Sequence, residues 1–370
     1  MIGIVSVGDI MPGGLLSGSE QVCASEDVLK ALSWGDVKCG TLECALGDEP
    51  TYDKDKVADR GNVIYAKDAD VRRLKELGID LVSLANNHFY DLGLEGAVHT
   101  IDLLDRNGIK HCGAGRNLAE AGAPVVYDIG GKTVAFLAFC DVIYKHVFMC
   151  TYATADTPGI NPMKEGYYEE EIKKNALQYD YVVVLAHWGT ENTFKPDVSI
   201  TRIARRMLKA GASLVLGSHP HRVQPVLNTK KRSIVYSMGN FLFPERLIAP
   251  PKVTYYPNEA IDYSTLPVTY AYPTVKRITL KSLPYLARVG MIVSSILDGD
   301  TCESSYVFSY LEKDNRLVLL DKGRSSKIQK SIGCVGRVVK NRCLYGPYVF
   351  ISKCRNALAV RAKALLRHLR

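Results

Sequence analysis

Short apolar runs alternate with amphipathic segments over the first 243 residues of the chain. The runs are rich in Val, Ile and Leu and do not alternate with polar residues, as in strands buried on both faces of a sheet. The segments between them follow the helical period. This alternation predicts a layered α/β fold. The predicted strands are Ile2–Val7, Cys39–Leu42, Leu81–Ala85, Thr133–Phe139, Tyr181–Ala186, Leu214–Leu216 and Ser233–Ser237.

Two helices are predicted from apolar residues at helical spacing, over residues 94–104 and 200–208. Each is followed by a glycine, Gly108 or Gly211, which is the residue that most readily ends a helix in the left-handed conformation. The pair Gly130-Gly131 separates two further strand-like runs and predicts a tight hairpin.

The composition changes after Phe243. Residues 246–285 are rich in Pro, Tyr and Thr, and we predict a linker there. Three strand-like runs follow, over residues 289–297, 305–311 and 316–320, and predict a small β element. The expected organisation is therefore a main domain over residues 1–245, the linker, and a segment over 286–370 that ends in a basic amphipathic helix.

The charge of the chain is unevenly distributed. Residues 322–370 contain 13 Lys and Arg and no Asp or Glu, which leaves 34 basic and 39 acidic residues in the rest of the chain. A block of one sign is typical of a solvated or interacting segment. The predicted C-terminal helix has apolar residues along one face, which predicts peripheral membrane association. The alternative is that this face packs on the body of the protein. Contact with an anionic polymer fits the same charge.

The ten cysteines are irregularly spaced and form no CxxC motif, which is typical of free thiols in a reducing compartment. The N-terminus opens on a strand-like run rather than on a signal peptide, and no apolar run reaches the ~18 residues of a membrane span. We therefore expect a cytoplasmic protein, with peripheral association at the inner membrane face as a further possibility.

Polar residues of metal-ligand type follow five of the predicted strands. Ligand sites in open α/β sheets lie beyond the carboxyl ends of the strands, so these residues are expected to converge. Each one alone is more typical of a turn, a helix cap or a structural histidine. Their joint placement instead predicts a metal site. The six candidate ligands are Asp9, Glu43, Asn87, His187, His219 and His221.

The candidate ligands also indicate which metals to expect. Carboxylate, amide and imidazole groups without clustered cysteines suit Mn²⁺, Fe or Zn²⁺. We predict two divalent ions, with Mn²⁺ favoured. A carboxylate such as Glu43 can bridge two ions, and metal coordination would then make water nucleophilic near neutral pH.

Six motifs follow one another along residues 1–243. They are Gly8-Asp9-Ile10-Met11, Thr41-Leu42-Glu43, Leu84–Gly93 with Asn86-Asn87-His88, Ala186–Glu191 with His187-Trp188-Gly189, Gly217-Ser218-His219-Pro220-His221 and Tyr236–Phe243 with Gly239-Asn240. In this order they resemble the CapA family of poly-γ-glutamate capsule synthesis, which is similar to calcineurin-like metallophosphoesterases. The resemblance implies a layered α/β sandwich of metallophosphoesterase type.

The resemblance implies a role for each candidate residue. Asp9 and His221 would bind the first metal, Glu43 would bridge, and Asn87, His187 and His219 would bind the second. The roles beside the metals are a catalytic histidine, His88, an aspartate that orients it, Asp91, and two residues that line the site, Glu191 and Asn240.

One position departs from the superfamily pattern. The superfamily begins with Asp-x-His, whereas Met11 stands at the third position here. The first metal is therefore expected to lose one ligand, and a site with one labile ion, or with one ion only, is an alternative to two tightly held ions.

The sequence leaves two functions open. The first is a metal-dependent hydrolase of phosphoesterase type linked to capsule or poly-γ-glutamate synthesis. The second is a non-catalytic metal-binding accessory factor in the synthesis or export of an anionic capsular polymer, because fold does not settle function. Either function predicts an anionic polymer or a phosphorylated substrate as partner, and no nucleic acid.

Overall fold

The computed structural model describes residues 1–48, 62–142, 151–271, 273–341 and 345–349. The helices are α1 (Glu26–Leu32), α2 (Arg72–Glu76), α3 (Gly93–Arg106), α4 (Leu118–Gly122), α5 (Tyr167–Ala176), α6 (Val198–Ala210) and α7 (Lys322–Lys340). The strands are β1 (Ile2–Ile10), β2 (Val37–Leu42), β3 (Ala45–Leu46), β4 (Tyr65–Ala66), β5 (Leu81–Ser83), β6 (Lys110–Cys112), β7 (Ala114–Gly115), β8 (Val125–Ile129), β9 (Lys132–Cys140), β10 (Gly159–Ile160), β11 (Tyr181–His187), β12 (Leu214–Ser218), β13 (Val226–Asn228), β14 (Ser233–Val235), β15 (Arg246–Ala249), β16 (Val253–Tyr255), β17 (Val268–Thr269), β18 (Thr279–Lys281), β19 (Val289–Asp298), β20 (Thr301–Leu311) and β21 (Leu317–Leu319).

Two large mixed sheets form the body of the protein. The first has seven strands in the order β21-β20-β19-β1-β2-β5-β6, and the second has six in the order β13-β14-β12-β11-β9-β8. In each sheet the central strands are parallel, namely β1-β2-β5-β6 and β14-β12-β11-β9. Parallel neighbours bring their carboxyl ends to the same edge of each sheet.

Apolar side chains fill the space on both faces of the second sheet. Along β11, Val183 and Leu185 belong to a core cluster that also holds Ile4 and Val7 of β1. The intervening residues Val182 and Val184 pack on the opposite face, in a cluster with residues of α5 and α6. Because successive side chains of a strand point to opposite faces, such a strand is apolar throughout. The layered α/β sandwich predicted from the sequence is confirmed.

The local signals in the sequence correspond to observed elements. Helices α3 and α6 cover the two predicted helical segments. Gly108 and Gly211 follow them with φ of 70° and 128°, in the region that favours glycine. Strands β8 and β9 pair antiparallel around Gly130-Gly131, as expected for the hairpin.

Two segments differ from the expectation. The Pro- and Tyr-rich region expected to be a linker contains four short strands in one sheet, in the order β16-β15-β18-β17. Strands of two to four residues between prolines carry too few positions to show a period. The β element expected after residue 286 is also no separate unit, because β19 pairs antiparallel with β1 and extends the first sheet.

The described residues also bear on the cysteines and on membrane spans. Every cysteine within them is a free thiol, and only Cys334 is exposed. No helix in the described ranges is long and apolar enough to cross a bilayer. The basic amphipathic helix predicted near the C-terminus falls on residues 351–370, which lie outside the described residues.

Candidate metal centre

The six predicted metal ligands lie at the carboxyl ends of five strands, three from the first sheet and two from the second. The two sheet edges are joined there by a buried hydrogen bond, which Thr41 Oγ1 donates to Ser218 Oγ at 3.0 Å. Asp9 is near the end of β1, Glu43 follows β2, Asn87 follows β5, His187 ends β11, and His219 and His221 follow β12.

The backbone around Asp9 explains the Gly-Asp sequence. Asp9 N donates to Gly239 O at 3.0 Å, and Phe241 N donates to Asp9 O at 2.9 Å. A Cβ on Gly8 would lie 1.7 Å from Gly239 O, so only glycine permits this close approach. Gly8 thus allows the segment around residue 240 to lie beside β1 and fixes the position of the Asp9 carboxylate.

The acidic and imidazole groups form two sets that share Glu43. One set is Glu43, His187 and His219, and the other is Asp9, Glu43 and His221. Within each set, one potential ligand atom of each residue lies within 4.8 Å of the others. Asn87 lies beside the first set, with Oδ1 at 2.8 Å from His187 Nε2. The two sets have the composition that the CapA resemblance implies, with Glu43 between them.

Hydrogen bonds on the far side of each ring fix the orientation of two histidines. His187 Nδ1 lies 2.9 Å from Ser218 Oγ. His221 Nδ1 lies 2.7 Å from Asn240 Oδ1, and Asn240 Nδ2 donates to Ala287 O at 2.8 Å. Such outer contacts orient ligating imidazoles in metal sites. The structure thus places Asn240, expected to line the site, against His221.

The His-Pro-His segment has an unusual backbone. His219 has φ of 91° and His221 has φ of 50°, conformations that cost ~1–3 kcal/mol for a residue other than glycine. The Asp9 carboxylate accepts a hydrogen bond from His219 N at 3.2 Å and helps to hold this conformation. This backbone conformation directs the imidazoles of both histidines toward Glu43.

The charges of the site are poorly compensated by the protein. Asp9 and Glu43 are fully buried. Asp9 Oδ1 and both carboxylate oxygens of Glu43 accept no hydrogen bond from the part of the chain that the structure describes. Burying a carboxylate in this way costs several kcal/mol unless a cation compensates it. The donor set and its orphaned oxygens therefore fit divalent cations.

The pKa values reflect the same environment. Burial raises the pKa of Glu43 well above its usual range, and the opposing charge of His221 does not cancel the shift. Burial, followed by the charges of neighbouring histidines, lowers the pKa of His187 and His219, so both remain neutral as metal ligands must be. For His221, burial acts downward, but Glu43 and Asp9 raise the pKa well above its usual range.

His88 and Asp91 form a buried pair next to the two sets. His88 Nδ1 lies 2.6 Å from Asp91 Oδ2, and the same oxygen accepts from Ile64 N at 2.7 Å. The charge of His88 contributes to the lowered pKa of both His187 and His219, which shows its proximity. Burial raises the pKa of Asp91, against the opposing charge of His88.

Two further positions singled out in the sequence have clear places. Glu191 is half-buried, and its charge raises the pKa of Glu43 and of His221. Met11 is fully buried in the main apolar cluster, so its side chain packs in the core.

Two contacts of the site were not predicted. Ser218 bridges His187 and Thr41, and Arg246 is 1% exposed and acts electrostatically on Glu43 and Asp91. The position of Ser218 directly before His219 was a usable signal. No such signal pointed to Arg246, because it lies in the region expected to be a linker.

Comparison with known proteins identifies relatives over the same part of the chain. The chain is 32% identical over 247 residues to the capsule biosynthesis protein CapA of Bacillus anthracis, covering 64% of this chain and 58% of that protein. It is 30% identical over 242 residues to the PGA biosynthesis protein CapA of Bacillus subtilis, covering 64% and 62%. A "probable polyglutamine synthesis accessory protein" of Mycobacterium tuberculosis is 26% identical over 221 residues, covering 56% and 58%.

Two solved structures overlap with the fold in part. One is the sulfate thiohydrolase SoxB of Thermus thermophilus, with 14% identity and a TM-score of 0.37, covering 72% of this chain and 38% of that one. The other is a 5′-nucleotidase of Candida albicans, with 11% identity and a TM-score of 0.40, covering 92% and 57%.

The match to a family model is more extensive than any single motif. The model of the bacterial capsule synthesis protein PGA_cap matches residues 3–245, which include every residue of the two sets. This confirms the resemblance to CapA. The chain belongs to the PGA_cap family of bacterial capsule synthesis proteins.

Proposed function

We propose that this protein is a metal-dependent hydrolase of phosphoesterase type that acts in the synthesis of a capsular or poly-γ-glutamate polymer. The observation that carries the proposal is the pair of buried ligand sets sharing Glu43, with the His88–Asp91 pair beside them. A site that served structure alone would not need a buried imidazole held by a carboxylate next to its ligands.

The two sets would hold two divalent cations. Glu43, His187 and His219, with Asn87, would hold one, and Asp9, Glu43 and His221 would hold the other. The mixture of oxygen and imidazole donors favours Mn²⁺, with Fe and Zn²⁺ as alternatives. When bound, such ions increase the acidity of water and stabilise charge that develops on substrate oxygens.

The remaining residues have roles in proton transfer and positioning. Asp91 Oδ2 accepts a hydrogen bond from His88 Nδ1, which leaves the His88 Nε2 atom to carry the mobile proton. In the proposed reaction, Nε2 donates this proton to the leaving oxygen. General acid catalysis of this kind contributes roughly 10²–10⁴-fold in rate.

The link to a surface polymer comes from the relatives. The chain spans 58% and 62% of the length of the two Bacillus proteins named above, so their polymer is a proposal for this chain. We propose an anionic polymer or a phosphorylated precursor of one as the substrate. A cytoplasmic site, with peripheral association at the inner membrane face, would give access to such a precursor.

A second function is a metal-binding accessory factor without turnover. The name of the Mycobacterium relative, a probable polyglutamine synthesis accessory protein, favours it. So does Met11, whose buried apolar side chain provides no ligand to the set that contains Asp9. In this case the metals would hold the polymer or its precursor without cleaving it.

Substitution of His88 distinguishes the two functions. We expect His88→Ala to retain the metal content of the wild type and to lose about 10²-fold or more of its Mn²⁺-dependent phosphodiesterase or monoesterase activity, since a general acid is removed. Metal content is measured by elemental analysis and activity with chromogenic mono- and diesters.

The matched control is His99→Ala. His99 also pairs with an aspartate, Asp68, at 2.8 Å, but both side chains are partly exposed. Its loss should leave metal content and activity unchanged. Bound metal without any activity that depends on His88 would favour the accessory function, and absence of bound metal under all conditions would exclude both.

A further inference from the structure

Two cavities lie next to each other along helix α6, which packs on the face of the second sheet that points away from the first. They have volumes of about 500 and 700 Å³ and share Arg205 in their walls, and we call them together the α6 groove. One end contains Lys230, in the turn before β14. Because β14 is parallel to β12, this end lies at the amino edge of the sheet, opposite the metal centre. The basic residues that line the groove are Arg202, Arg205, Arg206, Lys209, Lys230 and Lys340.

The positive charge of the α6 groove is largely uncompensated. None of the described residues that line it is acidic. Arg206 is paired with Glu165 and Glu169. Arg205 donates to the backbone oxygen of Val339 in α7. The remaining four cations are exposed and form no ion pair with any residue that the structure describes, namely Arg202, Lys209, Lys230 and Lys340.

The cations of the α6 groove form a row rather than a cluster around one point. Arg202, Arg205 and Lys209 follow the spacing i, i+3, i+7, so they lie along one face of the helix over roughly 10 Å. Lys230 and Lys340 line the adjoining cavity, in which Arg205 takes part as well. A row of this kind fits a linear partner with repeated anionic groups better than a small anion.

Apolar side chains form the floor of the larger cavity. Leu227 and Ile234 line it with exposures of 7% and 0%, and Leu208 of α6 lines it beside them. Alkyl groups of a bound chain can be removed from water against such a floor while its charges meet the basic residues. A partner in which anionic groups alternate with short methylene chains fits both features.

Other polyanions fit the α6 groove less well. Single-stranded nucleic acid stacks its bases on exposed aromatic rings, whereas the one aromatic residue among the described lining, Tyr345, is 2% exposed. A membrane is flat on this scale and would not reach the recessed Leu227 and Ile234. Residues 350–370 of this chain contain six Lys and Arg and no acidic residue, so they do not supply the opposite charge.

We propose that the α6 groove binds an extended polymer with repeated carboxylate groups. A chain of γ-linked glutamate has this chemistry, because each unit repeats a carboxylate and a short methylene chain. Guanidinium and ammonium groups both form charge-assisted hydrogen bonds with carboxylates. The groove requires neither metal nor turnover, so the inference goes beyond the proposed function. Only the choice of glutamate as the monomer rests on that function.

The test measures binding of a fluorescently labelled chain of γ-linked glutamate by anisotropy, in EDTA, at low and at physiological ionic strength. Without metal, the metal centre presents the carboxylates of Asp9 and Glu43 and does not attract an anionic chain. A thymidylate oligonucleotide with the same number of charges and vesicles that contain anionic lipid are measured beside it.

The variants remove two charges each. Arg202→Gln/Lys209→Gln changes the smaller cavity, and Lys230→Gln/Lys340→Gln changes the larger one. The matched control is Lys30→Gln/Lys313→Gln, which removes the same charge from exposed positions in α1 and in the turn between β20 and β21. All of these side chains are exposed, so the variants should fold, and circular dichroism checks that they do.

We expect the wild type to bind the glutamate chain in EDTA, and to bind it more weakly as salt screens the charges. Each groove variant should bind about fivefold more weakly, as the loss of two exposed ion pairs predicts. The combined variant should lose about 25-fold, because distant sites act additively in free energy. The control should bind within about twofold of the wild type.

Three outcomes overturn the inference. The first is no binding of the glutamate chain by the wild type. The second is equal affinity in wild type and groove variants, or equal weakening in groove variants and control, which would reflect net charge alone. The third is tighter binding of the oligonucleotide or the vesicles that the same variants weaken, which would assign the groove to another class of partner. A protein that binds the chain in EDTA but takes up no metal rejects the proposed function and keeps the groove.

Discussion

The Glu43 carboxylate combines two unfavourable properties in one side chain. It is fully buried, and its charge has no hydrogen-bond donor among the described residues. Its pKa is raised because burial disfavours the ionised form. A group whose pKa is higher in the folded state than in the unfolded state lowers the stability as the pH rises. Without metal, Glu43 therefore destabilises the fold at neutral and alkaline pH.

Replacing this carboxylate should change the stability of the protein in a way that depends on whether metal is bound. We expect Glu43→Gln in EDTA at pH 8 to be more stable than the wild type, by about 1–2 kcal/mol, since an uncompensated buried charge is removed. The difference should shrink toward pH 4.5. Saturating Mn²⁺ should stabilise the wild type and leave the variant unchanged. Chemical denaturation measures the free energy of unfolding of both proteins under each of these conditions.

Glu303→Gln provides the control, because Glu303 is exposed in β20 and should show neither effect. A loss of stability in Glu43→Gln without metal would show that the carboxylate is compensated in the folded protein, and would contradict the reading of the site as a cation site.

At this scale the positions of the candidate ligands were predictable, and the residues that contact them were not. Asp9, His187 and His219 lie directly at strand ends, and local sequence places a strand end. Ser218 contacts Thr41, 177 residues away, and Asn240 contacts Ala287, 47 residues away. Such partners depend on how distant strands align, which a local pattern does not encode.

At the scale of elements, the first sheet is completed from the end of the chain. Strand β19 pairs with β1 in a register from Ile2 with Leu297 to Val7 with Ile292. The helices were predictable because each repeats the helical period over several turns, and the central strands because each is a continuous apolar run. The place of β19 was not, because an antiparallel strand that joins an otherwise parallel sheet has the same local sequence as one in a separate unit.

A truncation tests this role of β19. We expect a chain of residues 1–245 to lack a cooperative thermal transition, because β1 loses β19 as one of its two neighbours and Asn240 loses the Ala287 carbonyl. A chain of residues 1–349 should keep the transition. Circular dichroism during heating measures both. A cooperative transition in the shorter chain would show that the family-matched segment folds without strands β15 to β21.

At the scale of the whole molecule, the two parts of the chain differ in charge. The body has a small excess of acidic residues, whereas the segment from Lys322 onward is basic. Helix α7 begins this basic segment, and only Ile332, Val335 and Val339 of its residues are buried. Its lysines and arginines are thus carried on a helix that packs through one apolar edge. The segment from Lys322 onward contains 13 basic residues and no acidic residue.

The proposed membrane association is tested by removing the last part of this segment. Deleting residues 350–370 removes six Lys and Arg, and should weaken cosedimentation with vesicles that contain anionic lipid by about tenfold or more, since each basic residue near such a surface contributes ~1 kcal/mol. Binding to neutral vesicles is the control. Unchanged partitioning onto anionic vesicles would remove the membrane role of the segment.

The pairing of β1 with β19 also determines when the metal centre can form during synthesis. Asp9 is synthesised well before β19, so its strand acquires its second neighbour only after residue 298 has been made. Contacts of such large sequence separation form slowly, because a long loop must close first. The nascent chain therefore exposes one edge of an apolar strand until β19 has been made, and we expect chaperones to govern its yield more than the stability of the finished fold does.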